Sequence, residues 1–245
     1  MRNCNKLNIY YKRKLRNDSI KRFKKYICEA NLEIVKHGLV IHSWGNVSGR
    51  EPETGYIVIK PSGVSYNRMK ESDMVVLDIF GNIIEGKWKP STDTPTHLLL
   101  YKSWPSVGGI VHTHSTYATA WSQAGRGIPA LGTTHADCFY GEVPCTRELT
   151  TSEIKNDYEA NTGRVIIERL MKNDPFNMPA VLVNNHGPFV WGKDADEAVY
   201  NAVTLEEVAK IAFYTMLIGK SEPIEQELLD KHFFRKHGTD SYYGQ

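Results

Sequence analysis

The amino-acid sequence predicts a single α/β domain over residues 19–245, in which helices cover both faces of a central β-sheet. Short apolar runs rich in β-branched residues predict buried strands, and longer runs with apolar residues three and four apart predict amphipathic helices. No internal repeat, linker or change in composition divides this region. Its 41% hydrophobic and 24% charged residues are ordinary for a globular chain of 245 residues, which is long enough to bury a large core.

The first predicted helix covers residues 19–37, where Ile20, Phe23 and Ile27 recur at helical spacing and Gly38 supplies a C-cap. Residues that cap helix N-termini precede several of the other predicted helices. These other helices are predicted at 96–104, 116–123, 150–172 and 194–218, and within the tail 223–245.

The predicted strands are short and are separated by turn residues such as glycine, proline and asparagine. They lie at 56–60, 73–79, around Ile110 and Val111, and at 180–183, with a return segment at Ile83 and Ile84 and an extended start at 39–42. Residues 44–48 are predicted to form a polar turn, and residues 132–137 a polar loop.

The N-terminal segment differs in charge from the rest of the chain. Residues 1–25 contain 10 Lys or Arg and one acid, Asp18, whereas the remainder contains 20 basic and 27 acidic residues and carries a net charge of −7. We interpret residues 1–18 as a basic extension that can remain disordered in solvent, in preference to an arm that binds nucleic acid or acidic lipid.

Several classes of function are not supported by the sequence. No basic stripe in the body would follow a nucleic-acid backbone, and no apolar run reaches membrane-spanning length. The four cysteines lack C-x-x-C spacing, which predicts free thiols in a reducing compartment. We therefore expect a cytoplasmic protein with neither a nucleic-acid nor a membrane partner.

Two histidines follow a predicted buried strand. His112 and His114 lie two residues apart after Ile110 and Val111, so their imidazoles point to the same side if the strand continues. Two histidines on one side are half of a metal site, although packed histidines at a strand end would give the same pattern. His186, which follows the strand at 180–183, is the best third ligand, and Asp93 could complete or adjust the site.

Other polar clusters follow strands or open helices, where α/β proteins gather ligands. Lys60 stands beside Ser62 and Gly63, a combination that could hold a phosphate. The clusters are Asn46 with Ser48, Lys60 with Ser62 and Gly63, Ser91 with Thr92 and Asp93, and 184–186.

Taken together, these motifs resemble the class II aldolase/epimerase family from about Ser19 to the C-terminus. The resemblance rests on the runs at 44–48, 60–64, 90–97, 112–115, 132–140, 186–189 and 242–245. Asp-Thr-Pro-Thr-His at 93–97, Thr-Thr-His-Ala-Asp at 133–137 and Tyr-Tyr-Gly-Gln at 242–245 favour the sugar-phosphate epimerases of the family over its aldolases.

The resemblance implies a function and a set of site residues. It implies a mixed or antiparallel sheet, a homotetramer with active sites at subunit interfaces, and one Zn²⁺ per subunit, with Mn²⁺ or Co²⁺ as alternatives. It implies metal-dependent interconversion of L-ribulose 5-phosphate and D-xylulose 5-phosphate, by a retro-aldol and aldol inversion at C4, in L-arabinose or related pentose catabolism. The implied metal ligands are Asp93, His112, His114 and His186; the substrate-binding residues are Gly45, Asn46, Lys60, Ser62, Gly63, Ser91, Thr92 and His232; the acid–base pair is Asp137 and Tyr243.

Three other functions stay open at this point. One is an aldolase of the same family that cleaves a deoxyketose 1-phosphate to dihydroxyacetone phosphate; a Glu stands near the position of Asp93 in those relatives. Another is a non-catalytic scaffold on the same fold, although the presence of all three histidines disfavours it. A zinc hydrolase is less favoured, because no H-E-x-x-H motif occurs.

Overall fold

The structure, a computed structural model, describes residues 2–171, 174–219, 222–238, 241 and 242, with side chains from residue 17 onward. This part contains eight α-helices. They are α1 (Arg2–Lys36), α2 (Thr94–Ser103), α3 (Thr116–Gln123), α4 (Thr133–Ala136), α5 (Thr151–Lys155), α6 (Tyr158–Leu170), α7 (Ala195–Ile218) and α8 (Gln226–His237).

The strands of the described part form one sheet in the order β4-β3-β2-β1-β5-β7-β6, and all neighbouring strands are antiparallel. Helices α1, α3 and α7 pack together on one side, and α2 and α6 pack against each other on the other. The predicted α/β sheet with helices on both faces is therefore confirmed. The strands are β1 (Gly45–Arg50), β2 (Ile57–Ile59), β3 (Val75–Leu77), β4 (Ile83–Glu85), β5 (Gly109–Thr113), β6 (Ala180–Val183) and β7 (Gly187–Gly192).

The polar segment 44–48 was predicted as a turn, and this prediction is wrong, because its residues from Gly45 onward begin strand β1 in the middle of the sheet. Both backbone and side-chain polar groups of this strand have hydrogen-bond partners on other elements. Asn31 of α1 accepts a hydrogen bond from Val47 N and donates one to Val47 O, at 2.8 and 2.9 Å. On the other face, Ser48 Oγ lies 2.7 Å from His97 Nδ1 and 2.9 Å from Tyr101 Oη of α2. A polar strand is stable here because its buried groups are hydrogen-bonded.

The long helix predicted over 150–172 is two helices. A capping box of Thr150 and Glu153 begins α5, and the chain breaks at Asp157, whose φ is +52°. Asn161 donates to Glu153 O and Asn156 O, at 3.0 and 2.6 Å, and so satisfies carbonyl groups at the end of α5. The break places the N-terminus of α6 beside the sheet edge that carries the histidines.

Three smaller differences concern element bounds. Helix α1 begins at Arg2, so the backbone of the basic extension is helical; no glycine or proline interrupts residues 2–36. Residues 39–42 are not a strand, and α4 replaces part of the predicted polar loop at 132–137.

No helix in the described part combines the length and apolar character needed to cross a membrane.

Candidate active site

Three histidines converge at one edge of the sheet. His112 is on β5, His114 follows this strand, and His186 lies in the turn between β6 and β7. The turn depends on Asn185, which adopts a left-handed conformation with φ of +59°. The centroids of the three imidazole rings are 4.8 to 5.0 Å apart, and one nitrogen from each lies within 4.8 Å of the others.

Hydrogen bonding and burial give these histidines the forms that bind a metal ion. Because a carbonyl only accepts hydrogen bonds, His112 Nδ1 donates its proton to Pro188 O at 2.9 Å and leaves Nε2 as a ligand atom. Burial, with the charge of His112, lowers the pKa of His114 to about 4 and that of His186 to about 3, so that these two rings are neutral at neutral pH. Neutral imidazole is the form that binds metals. The residues present therefore fit a metal ion.

Asp93 lies at the N-terminus of α2 and faces the same space. Asn46 donates to its Oδ2 at 2.6 Å, and Ser91 Oγ lies 3.4 Å from the same oxygen. Burial alone would raise the pKa of Asp93, but the charges of His112 and His97 and the hydrogen bond from Asn46 hold it below its usual range. Its carboxylate does not belong to the cluster of His112, His114 and His186, whose ligand nitrogens all lie within 4.8 Å of one another.

A polar cavity of about 490 Å³ joins the histidines to the other predicted clusters. Lys60 is only 3% exposed, and burial lowers the pKa of its ammonium group. The cavity brings together eleven of the residues predicted for the site: Gly45, Asn46, Lys60, Ser62, Gly63, Ser91, Thr92, Asp93, His112, His114 and His186.

Sequence reasoning assigned no role to four other residues that line this cavity: Ser43, Trp44, Tyr158 and Glu159. Tyr158 Oη lies 3.5 Å from His186 Nδ1. Tyr158 and Glu159 escaped notice because they were placed inside a continuous helix. Asp157 beside Asn156, a pair of residues that favour turns, is the signal that could have located the break.

Asp137 and His232 lie outside this cavity, in a second cluster between α4 and α8. The Asp137 carboxylate is 3.0 Å from His232 Nδ1, 3.0 Å from Arg235 Nη2 and 3.3 Å from Lys236 Nζ. Burial opposes ionisation of Asp137, but hydrogen bonds from Arg235 and His232 hold its pKa below the usual range. Tyr243, its predicted partner, lies outside the described residues. Within one chain, Asp137 thus lies apart from the cavity that holds the predicted metal ligands.

Comparison with known proteins agrees with this fold. The model of the family described as "Class II Aldolase and Adducin N-terminal domain" matches residues 25–213. The chain belongs to this family.

Particular relatives and structures refine the comparison. The chain is 54% identical over 227 residues to the L-ribulose-5-phosphate 4-epimerase UlaF of Salmonella paratyphi B, which covers 92% of this chain and 100% of that protein. The protein of the same name from Salmonella typhi matches with the same identity and coverage. A structure of L-fuculose 1-phosphate aldolase superposes with a TM-score of 0.73 and 26% identity, covering 85% of this chain and 93% of that one. The aldolase of that name from Thermus thermophilus, at 23% identity and a TM-score of 0.64 over 82% of this chain and 100% of that one, shares the fold.

Proposed function

We propose that this chain interconverts L-ribulose 5-phosphate and D-xylulose 5-phosphate by inverting C4. The observation that carries the proposal is a single cavity with three imidazoles within 4.8 Å on one side and the buried Lys60 ammonium with hydroxyl groups on another. Such a cavity suits a small ketose that carries a phosphate. The 54% identity to a protein named as this epimerase supports the same substrate.

His112, His114 and His186 would hold one Zn²⁺ per subunit, with Asp93 close by. Three neutral nitrogens with an open position are typical of catalytic zinc, and the same donors also accept Mn²⁺ or Co²⁺. When bound, the ion supplies Lewis-acid polarisation of the ketose oxygens.

Deprotonation cannot invert C4, because C4 does not adjoin the carbonyl and its proton is not acidic, but breaking and re-forming the C3–C4 bond can. A base removes the proton of the C4 hydroxyl, and the electrons of the C3–C4 bond pass toward C2. The products are the enolate of dihydroxyacetone and glycolaldehyde phosphate. After the aldehyde turns over, C3 attacks its other face, and the new C4 oxygen takes a proton.

Asp137 and Tyr243 are the groups that we propose for these two proton transfers, one for each face of the aldehyde. The depressed pKa of Asp137 keeps it ionised at neutral pH, which is the form that accepts a proton. Lys60, Ser62 and Gly63, with Ser91 and Thr92, would hold the phosphate, because an ammonium group and hydroxyl donors suit phosphate oxygens.

A homotetramer with active sites at its interfaces follows as part of the proposal. The cavity and the Asp137 cluster are separate in one chain, so the cluster of one subunit would meet the cavity of its neighbour. Apolar side chains near the end of α7 are exposed and suit contact with another subunit: Ile211, Phe213, Tyr214, Leu217 and Ile218.

The test is a coupled assay of D-xylulose 5-phosphate formation from L-ribulose 5-phosphate, with the protein as purified, after chelation and after Zn²⁺ is restored. We expect turnover that the chelator abolishes and Zn²⁺ recovers. Cleavage of L-fuculose 1-phosphate or L-rhamnulose 1-phosphate to dihydroxyacetone phosphate, without epimerisation, would support the aldolase instead. If the protein shows neither activity and binds no metal, the result would support a scaffold.

A further inference from the structure

Trp44 is a large aromatic side chain at the rim of the catalytic cavity that the proposed chemistry has not used. It lines the cavity and is 53% exposed, and its ring centroid lies 6.5 Å from that of His114. We infer that Trp44 determines the outcome of the reaction: it keeps the aldehyde fragment in the cavity while this fragment turns, so that the sugar is epimerised and not cleaved. This inference rests on the proposed function.

The backbone that carries Trp44 is held against the strand of the histidines. Gly45 has φ of +114°, and a Cβ there would lie 2.7 Å from His112 O and 2.9 Å from Val40 Cγ1. Only glycine fits this close approach without strain. Tyr66 Oη donates to Gly45 O at 2.8 Å, and Trp44 N donates to Ile41 O at 3.1 Å. The base of the indole is therefore fixed relative to the cavity.

The ring itself has few neighbours. His42, in a left-handed conformation with φ of +58°, places its ring edge-on to the indole with centroids 5.6 Å apart. Apart from His42 and His114, no described ring lies against it. A tryptophan that is held at its backbone but largely exposed at a polar cavity is positioned to cover a ligand.

The lining of the cavity explains why an apolar wall matters. Apart from Trp44, the lining residues are glycines or carry polar or ionisable side chains. Hydrogen-bonding walls would hold the aldehyde oxygen in one orientation, whereas the reaction needs that oxygen to change sides. An indole face offers no hydrogen bond to the aldehyde oxygen, excludes water from the fragment and blocks its exit from the cavity. Release of the fragment is what separates an aldolase from an epimerase.

A labelled-fragment exchange experiment tests this role. Wild type, Trp44→Ala and Trp44→Phe are incubated with L-ribulose 5-phosphate and ¹³C-labelled glycolaldehyde phosphate, and the label in D-xylulose 5-phosphate is measured by mass spectrometry per product formed. We expect exchange to rise about tenfold in Trp44→Ala, since two fragment carbons lose an apolar cover, and to return toward the wild-type level in Trp44→Phe. Phe80→Ala, which removes an exposed aromatic that does not line the cavity, should match wild type.

The ratio of label to product separates this role from a general loss of activity. A lower rate in Trp44→Ala with unchanged exchange per product would overturn the inference. If Trp44→Ala forms no product, Trp44→Leu takes its place, and an inactive Trp44→Leu that folds normally and releases no dihydroxyacetone also overturns it. Absence of epimerisation by the wild type would instead remove the proposed function.

Discussion

The histidine cavity and the Asp137 cluster are built in different ways. The cavity is formed by strand ends and the start of α2, and its ligand nitrogens already lie within 4.8 Å of one another in a single chain. The Asp137 cluster joins two helices, α4 and α8, and its carboxylate is held by two side chains of α8, His232 and Arg235. The three histidines are thus positioned by one chain, whereas Asp137 would reach a cavity only if two subunits met, as proposed above.

Removal of a metal ligand is the change with the largest expected effect. In His186→Ala, one of three nitrogens is lost, and we expect bound metal to disappear and kcat/KM to fall by about 10³-fold, since a bound metal contributes several kcal/mol to catalysis. Metal content by mass spectrometry and the epimerase assay check this. His37→Ala, at an exposed position after α1, is the control. Normal metal content in His186→Ala would show that the histidines do not form the metal site.

Asp137→Asn tests the other region. We expect kcat to fall by about 10²-fold with metal content unchanged, because general acid–base groups contribute about 10²- to 10⁴-fold. Asp230→Asn is the control, since Asp230 lies on α8, the helix that carries His232 and Arg235, and accepts hydrogen bonds only from Tyr140 and Gln226 among its described contacts. Loss of metal together with activity would mean that Asp137 acts on the structure of the site.

Mixed oligomers show whether Asp137 acts in the cavity of its own chain or in the cavity of a neighbouring subunit. Asp137→Asn and His186→Ala subunits, each of low activity, are unfolded together and refolded. If each site combines the cavity of one chain with Asp137 of another, some mixed interfaces contain neither defect and activity returns. If both regions serve the same chain, every site keeps a defect, and the mixture stays as inactive as its components.

A smaller effect is expected at the phosphate end of the cavity. Lys60→Met removes the buried ammonium group, and we expect KM to rise about 10- to 100-fold with a smaller change in kcat, because a hydrogen bond to a charged group contributes about 1.5 to 3 kcal/mol. The matched control is Lys89→Met, at an exposed position whose side chain does not line the cavity. Equal effects of the two substitutions would remove Lys60 from substrate binding.

The contrast between the regions also shows what sequence reasoning could predict. The order of helices and the strands at Ile110 and at 180–183 follow from hydrophobic periodicity, and the histidines at strand ends follow from the strands. Strand β1 escaped prediction because its polar backbone and side-chain groups are satisfied by partners distant in sequence, Asn31 for the Val47 backbone and His97 for Ser48. Strand β7 escaped because its Pro188 and terminal glycines are typical of turns, and only pairing with β5 and β6 makes it a strand.

The separation of the two regions could not be predicted for a related reason. The motif at 133–137 indicated that Asp137 belongs to the active site, but a motif carries no distance between elements. Just after α4, Tyr140 packs against Phe233 and Phe234 of α8, with ring centroids 5.0 and 5.3 Å apart. Such contacts between distant segments are a property of the folded chain and not of local propensity.

The smallest predicted effect concerns the stability of the Asp137 region in acid. His135 on α4 is 4% exposed, its Nε2 donates to Gly141 O at 2.7 Å, and burial lowers its pKa to about 4. An unfolded histidine has a pKa of about 6.5, so the unfolded chain binds more protons between these pH values, and stability falls as the pH falls from about 6.5 to about 4.

The substitution His135→Gln retains an N–H donor for Gly141 O but does not titrate in this range. Between pH 7 and pH 5.5, we expect the wild type to lose about 1.2 kcal/mol more of its free energy of unfolding than His135→Gln does. Urea titrations of both proteins at the two pH values measure this difference. His37→Gln, at an exposed position, should retain the pH dependence of the wild type. The same loss in His135→Gln as in the wild type would place the titrating groups elsewhere, and the histidine cavity would then be the first region to examine.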